Sequence, residues 1–344
     1  MQKTIFIVDD NDINLTMAKE TLKDHYRVMT LPSATKMFTL INRITPDLIL
    51  LDIEMPEMDG FEALTLLKNN PKQADIPVIF LTSMTDTTIE AKGFELGVVD
   101  FVAKPFSAPV LLNRIKSHLN IDEMIRERTT KLQRLQNGIV FVLADMVENR
   151  DNTTGGHVER TTRYVRLLVE EALKRDIYTD ELRGYVEHDF DMFVNSARLH
   201  DIGKISISDI ILNKPDKLTD EEFEIMKGHA AEGERIIDQI VSHTGDDEFF
   251  LYHAKLFAGY HHERWDWKGY PYGLGEDNIP LQGRIMAFAD VYDALVTERP
   301  YKKPFTHEQA VDLIMQGREK QFDPLLTDVF NEVEDEFMKI KGNV

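Results

Sequence analysis

Short apolar runs and longer stretches of helix formers alternate through the first 120 residues. The runs are TIFIV (4–8), RVMTL (27–31), DLILL (47–51), PVIFLT (77–82) and DFVAK (100–104). Five strands alternating with five helices predict a doubly wound α/β domain with a five-stranded parallel sheet. Such sheets bind their ligands outside the carboxyl ends of the strands. Polar residues at those ends are therefore the first candidates for chemistry.

After about residue 120 the strand signals vanish. Apolar residues recur at Ile121, Ile125, Leu132, Leu135, Ile139, Val142 and Met146, with Arg128 filling the one skipped position. Steps of three, four and seven make a heptad seam, which predicts a stiff helix over 121–148. An amphipathic linker packed on its own chain would show this pattern. So would a coiled coil between two protomers, which makes a homodimer through this helix the sharper expectation. The rest, to about residue 340, reads as mostly helical, with a loop-rich patch between Trp265 and Pro280. The expected organisation is an α/β domain over 1–120, the linker helix over 121–148 and an all-α domain over 149–344.

Composition narrows the partners. A chain of 344 residues fits two domains of ~100–200 residues each. A net charge of −20 argues against a nucleic-acid polymer or an anionic membrane as partner. A small anion could bind only where local Lys and Arg outweigh that charge. With no cysteine, disulfides and thiolate metal sites are excluded, which suits a reducing compartment. The first residues, MQKTIFIVDD, end a short apolar run in two aspartates, so they read as a strand and not a secretory signal. The longest apolar run, Ile139 to Ala144, is far short of the ~20 residues of a membrane span. A soluble cytoplasmic protein is expected.

Five polar residues close the strands of the first domain. Asp9 and Asp10 follow the first, Asp52 ends the third, and Thr82 and Lys104 end the fourth and fifth. A lone Asp at a strand end is commonly a cap or turn residue. Crowded carboxylates, however, share protons or hold a cation, and an all-oxygen set suits Mg²⁺. A carboxylate beside Mg²⁺ can attack a phosphoryl group, while Lys104 neutralises the product and Thr82 hydrogen-bonds it. Pro105 fixes the backbone after Lys104 and allows a cis peptide. The segments IVDDN (7–11), LLDIEMPEMDG (50–60), LTS (81–83) and FVAKPF (101–106) resemble the receiver domain of two-component response regulators over about 120 residues. The resemblance implies that Asp52 is the phospho-acceptor and that Asp9, Asp10, Asp52 and the Ile53 carbonyl hold Mg²⁺. It further implies that Thr82 and Lys104 sense the phosphate and that Phe101 is the switch aromatic. A cognate sensor histidine kinase is the implied partner.

The second half holds all but two of the eleven histidines. Three clusters stand out: HDIGK with His200, Asp201 and Lys204; HHERWDWKGYP (261–271) with His261, His262, Glu263 and Asp266; and FADVYDAL with Asp290 and Asp293. Imidazole and carboxylate together suit Fe, Mn, Zn and similar ions. Two such ions provide a nucleophilic water and a clamp for phosphate-ester hydrolysis. Lys204, one turn after His200, falls on the same face and could steady a phosphate oxygen. Spacing alone leaves His157 and His229 undecided, and His188, His243, His253 and His307 read as ordinary residues.

These clusters, with DIILNKPDKLTDEEFEIMKGH (209–229) and IPLQGRIMAFADVYDALVTERPY (279–301), resemble the HD-GYP domain over roughly residues 137–340. That helical subclass of the HD superfamily hydrolyses cyclic dinucleotides. The resemblance implies metal ligands at His157, His200, Asp201, His229, His261, His262 and Asp290, with Asp201 as the bridge. Asp201 and Lys204 would act in catalysis, and Lys204, Tyr270, Arg299 and Lys302 would contact the substrate. Cyclic di-GMP is the expected substrate, cut to linear pGpG or onward to GMP, with Asp52 phosphorylation in control. Two departures bear on this. Thr153 stands where three-metal members carry a Glu, which favours two ions, Fe or Mn. Trp267 stands where the family usually has Gly. The alternatives are a module that signals by nucleotide or protein binding, with a partner at the Gly-Tyr-Pro loop, and a hydrolase of a related dinucleotide such as cyclic GMP-AMP.

Overall fold

The computed structural model describes residues 2–83, 87–151, 155–182, 185, 187–245, 249–298 and 303–342. It divides into two units, Met1–Gln133 and Arg134–Val344.

In the first unit, β1 (Thr4–Val8), β2 (Arg27–Leu31), β3 (Leu48–Asp52), β4 (Val78–Thr82) and β5 (Asp100–Ala103) form one parallel sheet in the order β2-β1-β3-β4-β5. Each predicted run meets its strand to within a residue. The connecting helices are α1 (Asp12–Leu22), α2 (Ala34–Ile41), α3 (Gly60–Lys68) and α4 (Thr87–Glu95), and α5 (Ala108–Arg150) begins here. β1, β3 and β4 are buried along their whole length. The reason is that both faces are covered. Phe6, Val8, Ile49 and Leu51 pack with Met37, Ala63 and Leu64, while Ile5, Ile7, Leu48 and Leu50 pack with Leu15, Leu22, Leu111 and Ile115. Each of these Val, Leu, Ile, Phe and Met side chains contributes roughly 1.5–3 kcal/mol of burial.

The strand order reverses between β1 and β3, which is where a doubly wound sheet opens its ligand crevice. Val8 pairs with Leu51, so Asp9 and Asp52 leave adjacent strands at neighbouring registers. Asp59 caps α3 in a reciprocal arrangement with Glu62. A Cβ on Gly60 would lie 2.4 Å from the Asp52 carbonyl oxygen, so only glycine lets α3 start this close to β3.

The second unit is helical: α6 (His157–Lys174), α7 (Glu187–Ser196), α8 (Asp209–Leu212), α9 (Asp220–Thr244), α10 (Phe249–Tyr260), α11 (Leu281–Val296), α12 (His307–Gln316) and α13 (Pro324–Gly342). α11 is buried over nearly all of its surface, and its Phe288 and Tyr292 meet Tyr164, Phe330 and Phe337 in an aromatic core. Between Trp265 and Pro280 the described helix is a single 3-10 turn at Glu276–Asn278, as the loop-rich composition predicts.

α5 is one helix of 43 residues and contains the whole predicted linker. Its seam residues, Ile121 through Met146, are between 51% and 66% exposed. Val140 and Val147, off that seam, are buried against Leu199 and Ile202. Among the described residues no helix is long and apolar enough to cross a membrane.

Candidate functional site

The first site lies at the carboxyl edge of the sheet. Asp9, Asp10 and Asp52 each offer a carboxylate oxygen, all within 4.8 Å of one another. Asp9 and Asp52 are buried, whereas Asp10 is exposed. Asn14 Nδ2 and the Asn11 amide donate to Asp9 and fix its orientation. Lys104 Nζ sits 2.7 Å from both Asp9 and Asp52. Burial pushes the Asp52 carboxyl above its ordinary range, although Lys104 opposes that shift. Burial also disfavours charge on Lys104, yet the two carboxylates outweigh it and raise its pKa. Such a set fits Mg²⁺: hard oxygen donors with an excess of negative charge. Thr82 is buried at the end of β4, and its carbonyl accepts from the Lys104 amide at 2.7 Å. The Lys104–Pro105 peptide is cis. Phe101 is turned inward, edge-on to Phe80 and Phe94, with Gly93 against its ring. The Ile53 carbonyl accepts from the Gly60 amide at 2.9 Å, so one of its lone pairs already holds the turn into α3.

The second site gathers residues from five segments. His157 opens α6, and His200 and Asp201 lie between two 3-10 turns. His229 sits within α9, His261 and His262 follow α10, and Asp290 lies on α11. Ligand atoms of His157, His200 and Asp201 fall within 4.8 Å of one another, as do those of His229, His261 and His262. Asp201 faces both groups. Its Oδ2 is 3.4 Å from His200 Nε2, and its Oδ1 is 3.4 Å from His229 Nε2 and 3.8 Å from His261 Nε2. Asp290 Oδ1 is 3.6 Å from His157 Nε2. Gly203 makes the convergence sterically feasible. A Cβ there would lie 1.9 Å from the His229 carbonyl oxygen, so any other residue would hold α9 away from the HDIGK loop.

The tautomers follow from the partners. His200 Nδ1 donates to the Ala197 carbonyl (3.0 Å), His229 Nδ1 to Met226 (2.7 Å) and His261 Nδ1 to Phe257 (3.0 Å). Carbonyls only accept, so these Nδ1 atoms carry the hydrogen and the Nε2 lone pairs point inward. His157 Nδ1 donates likewise to Asp293 Oδ2 at 2.8 Å. Burial, reinforced by the neighbouring histidines, pushes His261 down to about 3 and His262 well below its ordinary value. Burial lowers His229 as well. His157 goes the other way: burial disfavours its charge, but Asp293 and Asp290 raise its pKa. Burial also pushes the Asp201 carboxyl up, yet Lys204, His200 and His229 hold it well below the carboxylate range. The result is an uncompensated donor set. His229 Nε2 and His261 Nε2 face each other at 3.3 Å with no proton to share, and His200 Nε2 and Asp201 Oδ1 are buried without a hydrogen-bond partner. Buried groups of this kind are costly unless cations hold them, and N/O ligands fit Fe, Mn or Zn.

The surrounding residues were less visible in the sequence. Asp293 receives His157 and is clamped by Arg160 Nε at 2.6 Å and Nη2 at 2.9 Å. Glu148 accepts from the His157 and Val158 amides. Lys204 Nζ lies 2.8 Å from Asp201 and 2.6 Å from Asp151. Glu263 is buried and accepts from the Tyr272, Gly273 and Leu274 amides, which shapes the Gly-Tyr-Pro loop. Tyr270 stacks on His262 at 4.7 Å. Trp267 has φ 63°, and its ring covers Gly275. A left-handed residue is where glycine is least strained, which explains why Gly suits this position; the Trp conformation costs roughly 1–2 kcal/mol. Thr153, Arg299 and Lys302 lie outside the described residues.

A receiver fold with an acidic pocket, followed by a helical His/Asp centre, defines a response regulator that carries a metal-dependent HD hydrolase domain. A family model for the response regulator receiver domain matches residues 5–116, and one for the HD domain matches residues 142–326. A probable cyclic di-GMP phosphodiesterase of Vibrio cholerae is 41% identical over 98% of this chain and 79% of its own length. The cyclic di-GMP phosphodiesterase response regulator RpfG of Xanthomonas campestris is 34% identical over 94% of this chain and 86% of its own. A 3'3'-cGAMP-specific phosphodiesterase 2 of Vibrio cholerae is 37% identical over 65% of this chain and 39% of its own. The chain belongs to the family of response regulators that join an N-terminal receiver domain to a C-terminal HD-GYP domain.

Proposed function

We propose that the HD domain hydrolyses cyclic di-GMP under the control of Asp52 phosphorylation. The observation that carries this reading is the inward convergence of the Nε2 lone pairs of His157, His200, His229 and His261 around the two oxygens of Asp201. His157, His200, Asp201 and Asp290 would hold one ion, and Asp201, His229, His261 and His262 a second, with Asp201 as the bridge. Two ions, Fe or Mn, fit better than three because Thr153 supplies no carboxylate. When bound, the pair supplies Lewis-acid charge at a phosphoryl oxygen and lowers the pKa of a water. The remaining work belongs to the chain. Lys204 directs its ammonium at a phosphate oxygen, and Tyr270, stacked on His262, borders the same centre. Arg299 and Lys302 are proposed to meet phosphate or guanine, since a chain of net charge −20 needs local cations to hold a dianion. Water adds to one phosphorus, the 3′ oxygen leaves, and the first product is pGpG.

The substrate class comes from the names of the relatives, so substrate choice is the direct test. The chain loaded with Mn²⁺ or Fe²⁺ is expected to convert cyclic di-GMP to pGpG, and a His200→Ala, Asp201→Ala double variant to lose this. Because one relative is named for 3'3'-cGAMP, the second reading is a cyclic GMP-AMP hydrolase. Faster turnover of that dinucleotide would select it. No turnover of either at full metal content would leave a binding module. Exposed Trp267 and Tyr272 would then give the Gly-Tyr-Pro loop an aromatic face for a protein partner.

The proposed context is a cytoplasmic homodimer that takes phosphate from a sensor histidine kinase. The exposed apolar seam of α5 supports pairing with a second copy, because a stripe of this length is seldom left in water.

A further inference from the structure

We infer that Arg150 and Asp151, at the end of α5, are positioning residues that hold Lys204 and the loop behind it in register with the metal centre. Three residues within one turn of α5 reach the two segments that begin the ligand set. Arg150 Nη1 donates to the Ile205 carbonyl at 2.8 Å and Nη2 to the Ile207 carbonyl at 3.0 Å. Its Nε and Nη2 also donate to Asp209 Oδ1 at 3.1 and 2.6 Å. The Arg150 carbonyl in turn accepts from Asn213 Nδ2 at 2.9 Å. Asp151 Oδ2 then takes the Lys204 ammonium at 2.6 Å, opposite Asp201 Oδ2 at 2.8 Å. Glu148 seats the start of α6 through the His157 and Val158 amides, at 2.7 and 3.2 Å.

Only a guanidinium can make these bonds together. Its planar fork carries five N–H donors at fixed angles, whereas an ammonium is a point charge on a flexible stem. Lys204, in turn, is fixed between two carboxylates, so a phosphate oxygen would meet an ammonium that is already oriented. Arg150 and Asp151 therefore set the position of Lys204 through bonds to its ammonium and to the loop that follows it. A change in how this helix ends would alter turnover while leaving the ions in place.

The kinetic part of this inference rests on the phosphodiesterase reading; the structural part does not. The test uses the full chain with Asp151→Asn, which keeps size and removes charge, and Arg150→Lys, which keeps charge and removes the fork. Asp151→Asn is expected to raise acylation of Lys204 relative to the other lysines, measured by mass spectrometry. Arg150→Lys is expected to speed amide hydrogen exchange over 204–209. Both are expected to keep wild-type metal content and to lose ~10-fold or more in kcat with little change in KM, since an ångström of misplacement can cost ~100-fold. Unchanged labelling and exchange would overturn the inference. So would a kinetic loss that tracks lost metal. If the wild-type chain turned over no cyclic dinucleotide, the phosphodiesterase reading would fall, and labelling and exchange would still decide the positioning claim.

Discussion

A buried histidine takes its role from what its two nitrogens meet. In the metal centre, backbone carbonyls and Asp293 take the Nδ1 hydrogens and leave Nε2 free for an ion. His253 is buried as deeply but is enclosed by Phe193, Phe249 and Tyr252, with Gln282 Nε2 donating to Nδ1 and Tyr185 against Nε2. Both nitrogens are satisfied, so it is a core residue, as its isolation in the sequence suggests. Burial lowers its pKa to about 4. The unfolded chain binds a proton at His253 below pH ~6.5 that the folded chain refuses, so this site's contribution is intact above that pH and falls as the solution is acidified toward 4. Between pH 7 and 5 the loss is about 2 kcal/mol. Urea titrations of the metal-free chain should show at least that loss, because His229, His261 and His262 are lowered as well, and His253→Asn should reduce it by about 2 kcal/mol. An unchanged slope would mean that other groups dominate.

At the scale of elements, α5 does two jobs on two faces. Val140 and Val147 pack it onto the helical unit, while the seam from Ile121 to Met146 is left exposed on the single chain. A Leu132→Lys, Leu135→Lys variant places two charges on the seam and leaves the buried valines alone. Sedimentation is expected to show a dimer for the wild-type chain and a monomer for the variant, with the helical circular dichroism of the folded units retained. A wild-type chain that sediments as a monomer at tens of micromolar would sink the coiled-coil proposal. Elsewhere the fit between elements depends on missing side chains. Gly60 lets α3 start against β3, and Gly203 lets α9 close on the HDIGK loop.

For the whole molecule, the first unit holds a buried carboxylate poised beside a lysine, and the second holds a centre built for cations. A single helix belongs to both. Phosphorylation at Asp52 would add charge beside Lys104 and Thr82 and remove the Asp52–Lys104 pair as it now stands, a local change with a route along α5. Hydrolysis of cyclic di-GMP by the wild-type chain should therefore change on adding a small phosphodonor such as acetyl phosphate, and an Asp52→Ala chain should not respond. Equal responses in the two would remove receiver control from the account.

Sequence alone determined the elements and most of the residues that gather at the two candidate sites. Periodicity fixed five strands and the long helix, because the side-chain repeat is a local property of the backbone. The pocket of Asp9, Asp52, Thr82 and Lys104 was legible because its members end strands, and a parallel sheet brings those ends together. His200, Asp201, His261 and His262 were legible as adjacent pairs. His157 and His229 were not separable by spacing, and only packing brought them to Asp201. Asp151, Glu148 and Arg150 belong to no sequence motif, and Asp293 shows there only as one member of a cluster. Their roles exist only as contacts between different elements, from 9 to 136 residues apart, and such contacts are set by how helices pack, which no local pattern encodes.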